Sequence, residues 1–146
     1  MTGVQTCALP ISKLRSAAFR RIRADHQAEL AGDYVELIAD LIDEKGEARG
    51  TDVALRLGVA NATVVKALRR LQDLGLITQE PYRAIFLTAE GWSMAEDARR
   101  KHRIVEDFLL AIGVGVDTAR IDSEGIEHHV SEETLKAMGR FLARRG

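Results

Sequence analysis

Gly58 stands between two short amphipathic segments, and that arrangement limits the possible folds more than any other feature of the chain. Thr51 is placed to cap a helix over residues 52–57, with Asp52 favourable beside the positive end of the helix dipole. After Gly58, Val59-Ala60-Asn61 leads into a second helix through about Leu74, with Val64, Val65, Leu68 and Leu71 turned inward. Helix, tight glycine turn, helix is the helix-turn-helix unit. Gly75 closes the second helix, and residues 77–80 and 84–88 are short β-prone runs around Pro81-Tyr82-Arg83. A hairpin directly behind a helix-turn-helix is a wing. The expected fold is therefore mainly α: a winged helix-turn-helix DNA-binding domain over residues 13–88, followed by an all-helical part over residues 89–146.

The flanks fit that frame. Residues 13–46 contain no proline, and Tyr34, Leu37, Ile38, Leu41 and Ile42 recur at three and four residues to make one apolar stripe. Gly32 is expected to divide this stretch into a basic arm and a helix starting near Asp33. Gly46 is the stop. Thr88 is placed to cap a long helix over 89–112 that ends at Gly113 and Gly115. Two further helices are expected over 117–130 and 131–145, the second opened by Ser131 with Glu132 and Glu133.

The first twelve residues, with no charge and no helical period, do not match the rest of the chain. They lack the basic leader of a signal peptide and resemble translated adaptor read-through; a flexible tail is the alternative. Cys7, the single cysteine, allows no internal disulfide and carries no functional argument. No apolar run approaches the roughly 18–20 residues of a spanning helix. A cytoplasmic protein with no membrane partner is expected.

The net charge of −1 conceals a sorting along the chain. Residues 13–32 carry five bases to two acids and 51–88 five to three, whereas 33–50 carry six acids to two bases and 117–134 six to one. Basic blocks suit a polyanion and acidic blocks suit a cation.

On the second helix of the unit, Asn61 and Thr63 stand at the N-terminal end, where recognition helices approach base edges, and Lys66, Arg69 and Arg70 suit phosphates. Arg83 at the wing tip is placed to reach a neighbouring groove or phosphate. The plain reading is a set of solvated helix residues; the hairpin directly behind the helix favours DNA.

The run Glu124-Gly125-Ile126-Glu127-His128-His129 sets two carboxylates and an imidazole (Glu124, Glu127, His128) on one helical face. Three such groups facing a core are costly unless a divalent cation neutralises them. His129 points elsewhere. Asp33 and Glu36 share a face of the first helix, and His102 lies mid-way along the long helix; each alone is an ordinary surface residue.

Four strings together carry a resemblance: Asp33-Tyr34-Val35-Glu36, Arg83-Ala84-Ile85-Phe86-Leu87-Thr88-Ala89-Glu90-Gly91, Lys101-His102-Arg103, and Glu124 through Ser131. In that order, from Asp33 to Arg145, the chain resembles the manganese transport regulators of the diphtheria-toxin-repressor family. The resemblance implies that residues 89–146 are an all-helical metal-binding and dimerisation domain, and that the protein is a homodimeric, manganese-activated repressor that binds a palindromic double-stranded operator of manganese homeostasis genes. It implies two Mn2+ ions per subunit, with Asp33, Glu36, His102, Glu124, Glu127 and His128 as ligands and Glu36 and Glu124 as bridges. Iron-responsive members place Met and Cys where this chain has Asp33 and Glu124, and hard oxygen donors favour manganese. The SH3-like third domain of those members is not expected. The alternatives are an iron-responsive regulator of the same family, a winged-helix sensor of an organic ligand and a carboxylate-bridged dimetal hydrolase. The hydrolase lacks the Glu-x-x-His signature of di-iron bundles, since Glu127 stands three residues after Glu124, so no enzyme and no organic substrate are expected.

Overall fold

The computed structural model describes residues 10–80 and 82–145, without the side chains of 21–29. The elements run α1 (Ile11–Lys45), α2 (Gly50–Leu57), α3 (Asn61–Asp73), β1 (Ile77–Thr78), β2 (Phe86–Leu87), α4 (Ala89–Ala111), α5 (Val116–Ile126) and α6 (Glu132–Arg145). Of the leader expected over 1–12, residues 1–9, Cys7 among them, lie outside the described residues, while Ile11 and Ser12 already belong to α1.

Gly32 does not divide α1, which is one helix of 35 residues. A glycine inside a helix costs only about 1 kcal/mol relative to alanine, too little to stop a helix whose next turns are packed. The stop comes at Gly46, where φ is 83° and the amide donates to the Ile42 carbonyl at 2.8 Å. Tyr34, Val35, Ile38 and Leu41 form the inner face and meet Val53 of α2, Val64, Leu68 and Leu71 of α3, Ile77 and Ile85 of the wing, and Ala95 of α4.

Two expectations about the helix-turn-helix fail locally. Thr51 is not a cap: α2 starts at Gly50 with Arg49 at the cap position and no capping side chain. Val65 is 57% exposed, because it lies outside the stripe that Val64, Leu68 and Leu71 already fill. Gly58 turns the chain with φ 69°, a conformation that favours glycine.

The wing is shorter than its β-prone runs. Ile77 pairs with Leu87 and Thr78 with Phe86, antiparallel. A single bridge from buried Ala48 to Ile85 adds a third edge, tying the segment before α2 to the wing. Thr88 caps α4 as expected: its Oγ1 accepts from the Gly91 amide at 3.1 Å and donates to the Gly75 carbonyl at 2.7 Å. Gly91 packs so tightly that a Cβ there would lie 2.1 Å from the Leu76 carbonyl oxygen. Gly91→Ala is therefore expected to destabilise the fold by about 2–3 kcal/mol, read as a fall in Tm of roughly 5–10 °C.

α4 spans the molecule. It packs on α1 at one end and on α5 and α6 at the other, with Arg99 holding Asp40 and Asp43 of α1 at 2.7 and 2.9 Å and Phe108 edge-on to Phe141 at 5.4 Å. α5 ends at Ile126, four residues before the expected end. His128 and His129 instead donate to carbonyls three residues back, those of Gly125 and Ile126, so the chain leaves the helix through a tightened turn. Ser131 then caps α6 by accepting from the Thr134 amide at 3.1 Å. No helix among the described residues is long and apolar enough to cross a membrane.

Candidate metal centre and nucleic-acid face

Two groups of potential ligands form where α1, α4 and the end of α5 meet. Asp33, Glu127 and His128 present ligand atoms that all lie within 4.8 Å of one another, and so do His102, Glu124 and Glu127. Glu127 is common to both. His128 Nε2 lies 2.8 Å from Asp33 Oδ1 and 3.5 Å from Glu127 Oε1; His102 Nδ1 lies 3.3 Å from Glu127 Oε2 and 3.6 Å from Glu124 Oε1. Glu36 stands in neither group, but its carboxyl is raised first by burial and then by the neighbouring charge of Glu124. Glu124 reaches the site from the last turn of α5 and Glu127 from its C-cap, still helical in backbone with its amide on the Ser123 carbonyl at 3.1 Å, while His128 follows in the tightened turn.

The electrostatics are those of a site short of positive charge. Glu127 is 2% exposed, and burial pushes its carboxyl up to about 7, with Glu36 and Glu124 adding to the rise against the opposing imidazoles of His102 and His128. Burial pulls His102 down, yet the carboxylates of Glu127, Glu124, Glu36 and Glu106 outweigh it and hold the imidazole above its ordinary value. Both oxygens of Glu127 and Nδ1 of His102 are shut from solvent without a hydrogen bond. Buried polar atoms are rarely left so. Oxygen and imidazole donors gathered around a buried, unsatisfied carboxylate, with more acids than imidazoles, fit a divalent cation.

Glu106, which the sequence reading did not single out, belongs to this site. His102 Nε2 is 3.0 Å from Glu106 Oε1, and the other carboxylate oxygen is 3.7 Å from Arg120 Nε. With Nε2–H donating to Glu106, the ring keeps Nδ1 as the acceptor facing Glu124 and Glu127. Its spacing of four residues from His102 on one helix was the available signal. Glu106→Leu is expected to weaken divalent-cation binding by about 10–100-fold, with Glu106→Gln, whose amide oxygen still accepts, retaining most of the affinity; calorimetric titration reads both.

The DNA candidates lie on a separate face. Asn61, Thr63, Lys66, Arg69 and Arg70 are all exposed on α3. Among the described residues Lys66, Arg69 and Arg70 enter no ion pair, whereas Arg56, Arg99 and Arg100 each hold an acid. Arg83 sits in the wing turn 3.3 Å from Glu80. The sequence reading missed Arg49 and Tyr82. Tyr82 is 99% exposed with φ 62°, and Arg49 Nη1 donates to its carbonyl at 3.3 Å, linking the wing tip to the start of α2.

The chain is 56% identical to the transcriptional regulator MntR of Escherichia coli O6:H1 over 128 residues, 88% of this chain and 83% of that one. It is 54% identical to the MntR of Salmonella typhimurium LT2, covering 88% of this chain and 82% of the relative. The chain belongs to the iron-dependent repressor family. The family's N-terminal DNA-binding domain matches residues 28–85, and its metal-binding and dimerisation domain matches residues 88–145. The fold agrees: a solved manganese-dependent transcriptional repressor in complex with manganese superposes with a TM-score of 0.71 at 28% identity. That match covers 77% of this chain and 52% of the solved one, so the chain spans about half the length of that protein. The motif strings from Asp33 to Ser131 resembled this same family.

Proposed function

We propose that this family member is a manganese-activated transcriptional repressor that binds double-stranded DNA as a homodimer. The observation that carries the reading is the pair of ligand groups built from α1, α4 and the end of α5 around the shared, buried Glu127. Asp33, Glu36, His102, Glu124, Glu127 and His128 are the proposed ligands, and two ions per subunit follow from the two groups. The bound cations would supply divalent charge that neutralises the carboxylates and cross-links the elements that carry them.

The proposed division places residues 13–88 in the DNA-binding domain and 89–146 in the metal-binding and dimerisation domain. Asp33 and Glu36 then belong to the first, His102, Glu124, Glu127 and His128 to the second. Without a cation the acids repel one another and the two parts are loosely coupled; with their charge neutralised, the separation of the two recognition helices in the dimer is fixed. Ile112, Val116 and Ile121 stand 54, 58 and 72% exposed in the second part, apolar surface suited to a second copy. Two-fold symmetry implies a palindromic operator with half-sites about 34–36 Å apart or a multiple of that. Asn61 and Thr63 would read bases, and Lys66, Arg69, Arg70 and Arg83 hold phosphates.

Hard oxygen donors at Asp33 and Glu124 favour manganese over softer-ligand metals. A gel-shift titration on a candidate manganese-transporter promoter with manganese, ferrous iron, zinc and no metal tests the reading: a shift at the lowest buffered activity of manganese supports it, and an equal shift without metal overturns it.

A further inference from the structure

We infer that the N-terminal half of α1 is a second DNA-contacting element, a basic helical arm that lies along the phosphate backbone beside the half-site held by α3. This inference rests on the DNA-binding reading above. Residues 11–23 carry Lys13, Arg15, Arg20, Arg21 and Arg23 and no acid, in a chain whose net charge is −1. All of the side chains described between Ile11 and Arg20 are exposed, as is Leu30, whereas Tyr34, Val35 and Ile38 are buried. Over residues 11–20 the helix therefore buries none of its described side chains. Isolated helices of that length are marginal in water; this one is continued from a packed helix, which removes the nucleation cost.

Three observations choose DNA as the occupant. The first is where the arm leaves the core. Leu30, Ala31 and Tyr34 of α1 line one cleft of about 580 Å3 with Lys66, Arg69 and Arg70 of α3, so the arm begins beside the bases proposed to hold phosphates. The second is the state of its charges. Among the described residues Lys13, Arg15 and Arg20 join Lys66, Arg69 and Arg70 in entering no ion pair, whereas Arg99, Arg100 and Lys101 of α4 are each neutralised by acids. Other such cations stand on α4 and α6, at Arg103, Lys136, Arg140 and Arg144, but the arm is the one of these that begins beside the cleft shared with α3. The third is reach: at about 1.5 Å per residue, the stretch from Ile11 to Leu30 is roughly 28 Å long, the length of about eight base pairs at 3.4 Å each. Bases distributed around a helix, rather than on one stripe, suit a sequence-independent grip on a polyanion.

The test uses the full chain with manganese and the triple variant Lys13→Gln, Arg15→Gln, Arg20→Gln, none of which is a metal ligand or a base-reading residue. Fluorescence anisotropy follows a random-sequence duplex and a duplex carrying a site selected by manganese-dependent binding, each over a range of salt. The expected result is weaker binding to both duplexes by the same factor, with the slope of log K against log salt reduced by about 0.9 for each lost phosphate contact. Manganese affinity, Tm and sedimentation mass should match wild type. Wild-type binding with an unchanged slope in the variant overturns the arm and leaves the repressor reading standing. Loss of the dimer in the variant also overturns it, because Ile11, Leu14 and Phe19 would then serve a contact between copies. No manganese-dependent binding by wild type sinks the repressor reading and the arm with it.

Discussion

Glu127→Gln should abolish manganese-dependent DNA binding while raising the stability of the metal-free protein. The carboxylate is the one group common to both ligand sets, so the substitution removes an anionic ligand from each at once. The amide is a poorer donor and carries no charge, and the apparent manganese affinity should fall at least about 100-fold. Moving a two-state coupling from 1:99 to 99:1 takes about 5.5 kcal/mol of preferential binding, a demand that weakened sites no longer meet. The stability half follows from burial. A carboxyl held at about 7 against roughly 4.3 unfolded is stabilising only while protonated, so its contribution is full at low pH and is lost as pH rises through 7. His102, also raised, contributes in the same direction, present below about 6.5 and lost as pH rises past its folded value. Metal-free wild type should therefore melt progressively lower between about pH 5 and pH 8, and Glu127→Gln should flatten that fall and melt higher at pH 8. Manganese binding near neutral pH should release protons, which calorimetry in buffers of differing ionisation enthalpy reads directly. A variant that binds DNA with manganese as wild type does would remove Glu127 from the centre of the account.

The second large effect is expected at α3. Lys66→Ala with Arg70→Ala removes two exposed cations that no acid engages among the described residues. Binding to specific and random duplexes should weaken alike, and the salt slope should fall by about two, one for each contact. Asn61→Ala or Thr63→Ala should instead relax preference at individual base pairs, by about 1–3 kcal/mol each. Unaltered binding by the Lys66, Arg70 pair would move the DNA face away from α3.

The sequence carried the elements that obey local rules. Gly58 and Gly46 stop helices because left-handed backbone favours glycine, and Thr88 caps α4 because a hydroxyl answers a free amide. Asp33 and Glu36, three apart, and His102 showed the right donors but not their convergence, which depends on α1 and α4 packing together. The Ala48–Ile85 bridge is one residue long and leaves no alternating pattern to read. The end of α5 was misplaced because the residues after Ile126 continue a helical spacing while the amides of His128 and His129 already reach back only three residues; Glu127, at the C-cap, still follows the helical path and lies in the interior, common to both ligand groups. Its dominance over Glu124, 62% exposed at the side chain, is a property of burial, which spacing does not encode. Glu106 looked like one more solvated acid of a charged helix until His102 was placed against it.

The most direct test of the central claim is anaerobic fluorescence anisotropy of a labelled duplex carrying the selected site, with wild-type protein and manganese titrated at buffered activity against a chelated control. The account predicts no specific binding in chelator and saturable binding as manganese fills the site around Glu127, reversed by adding chelator. Equal affinity with and without manganese would contradict it.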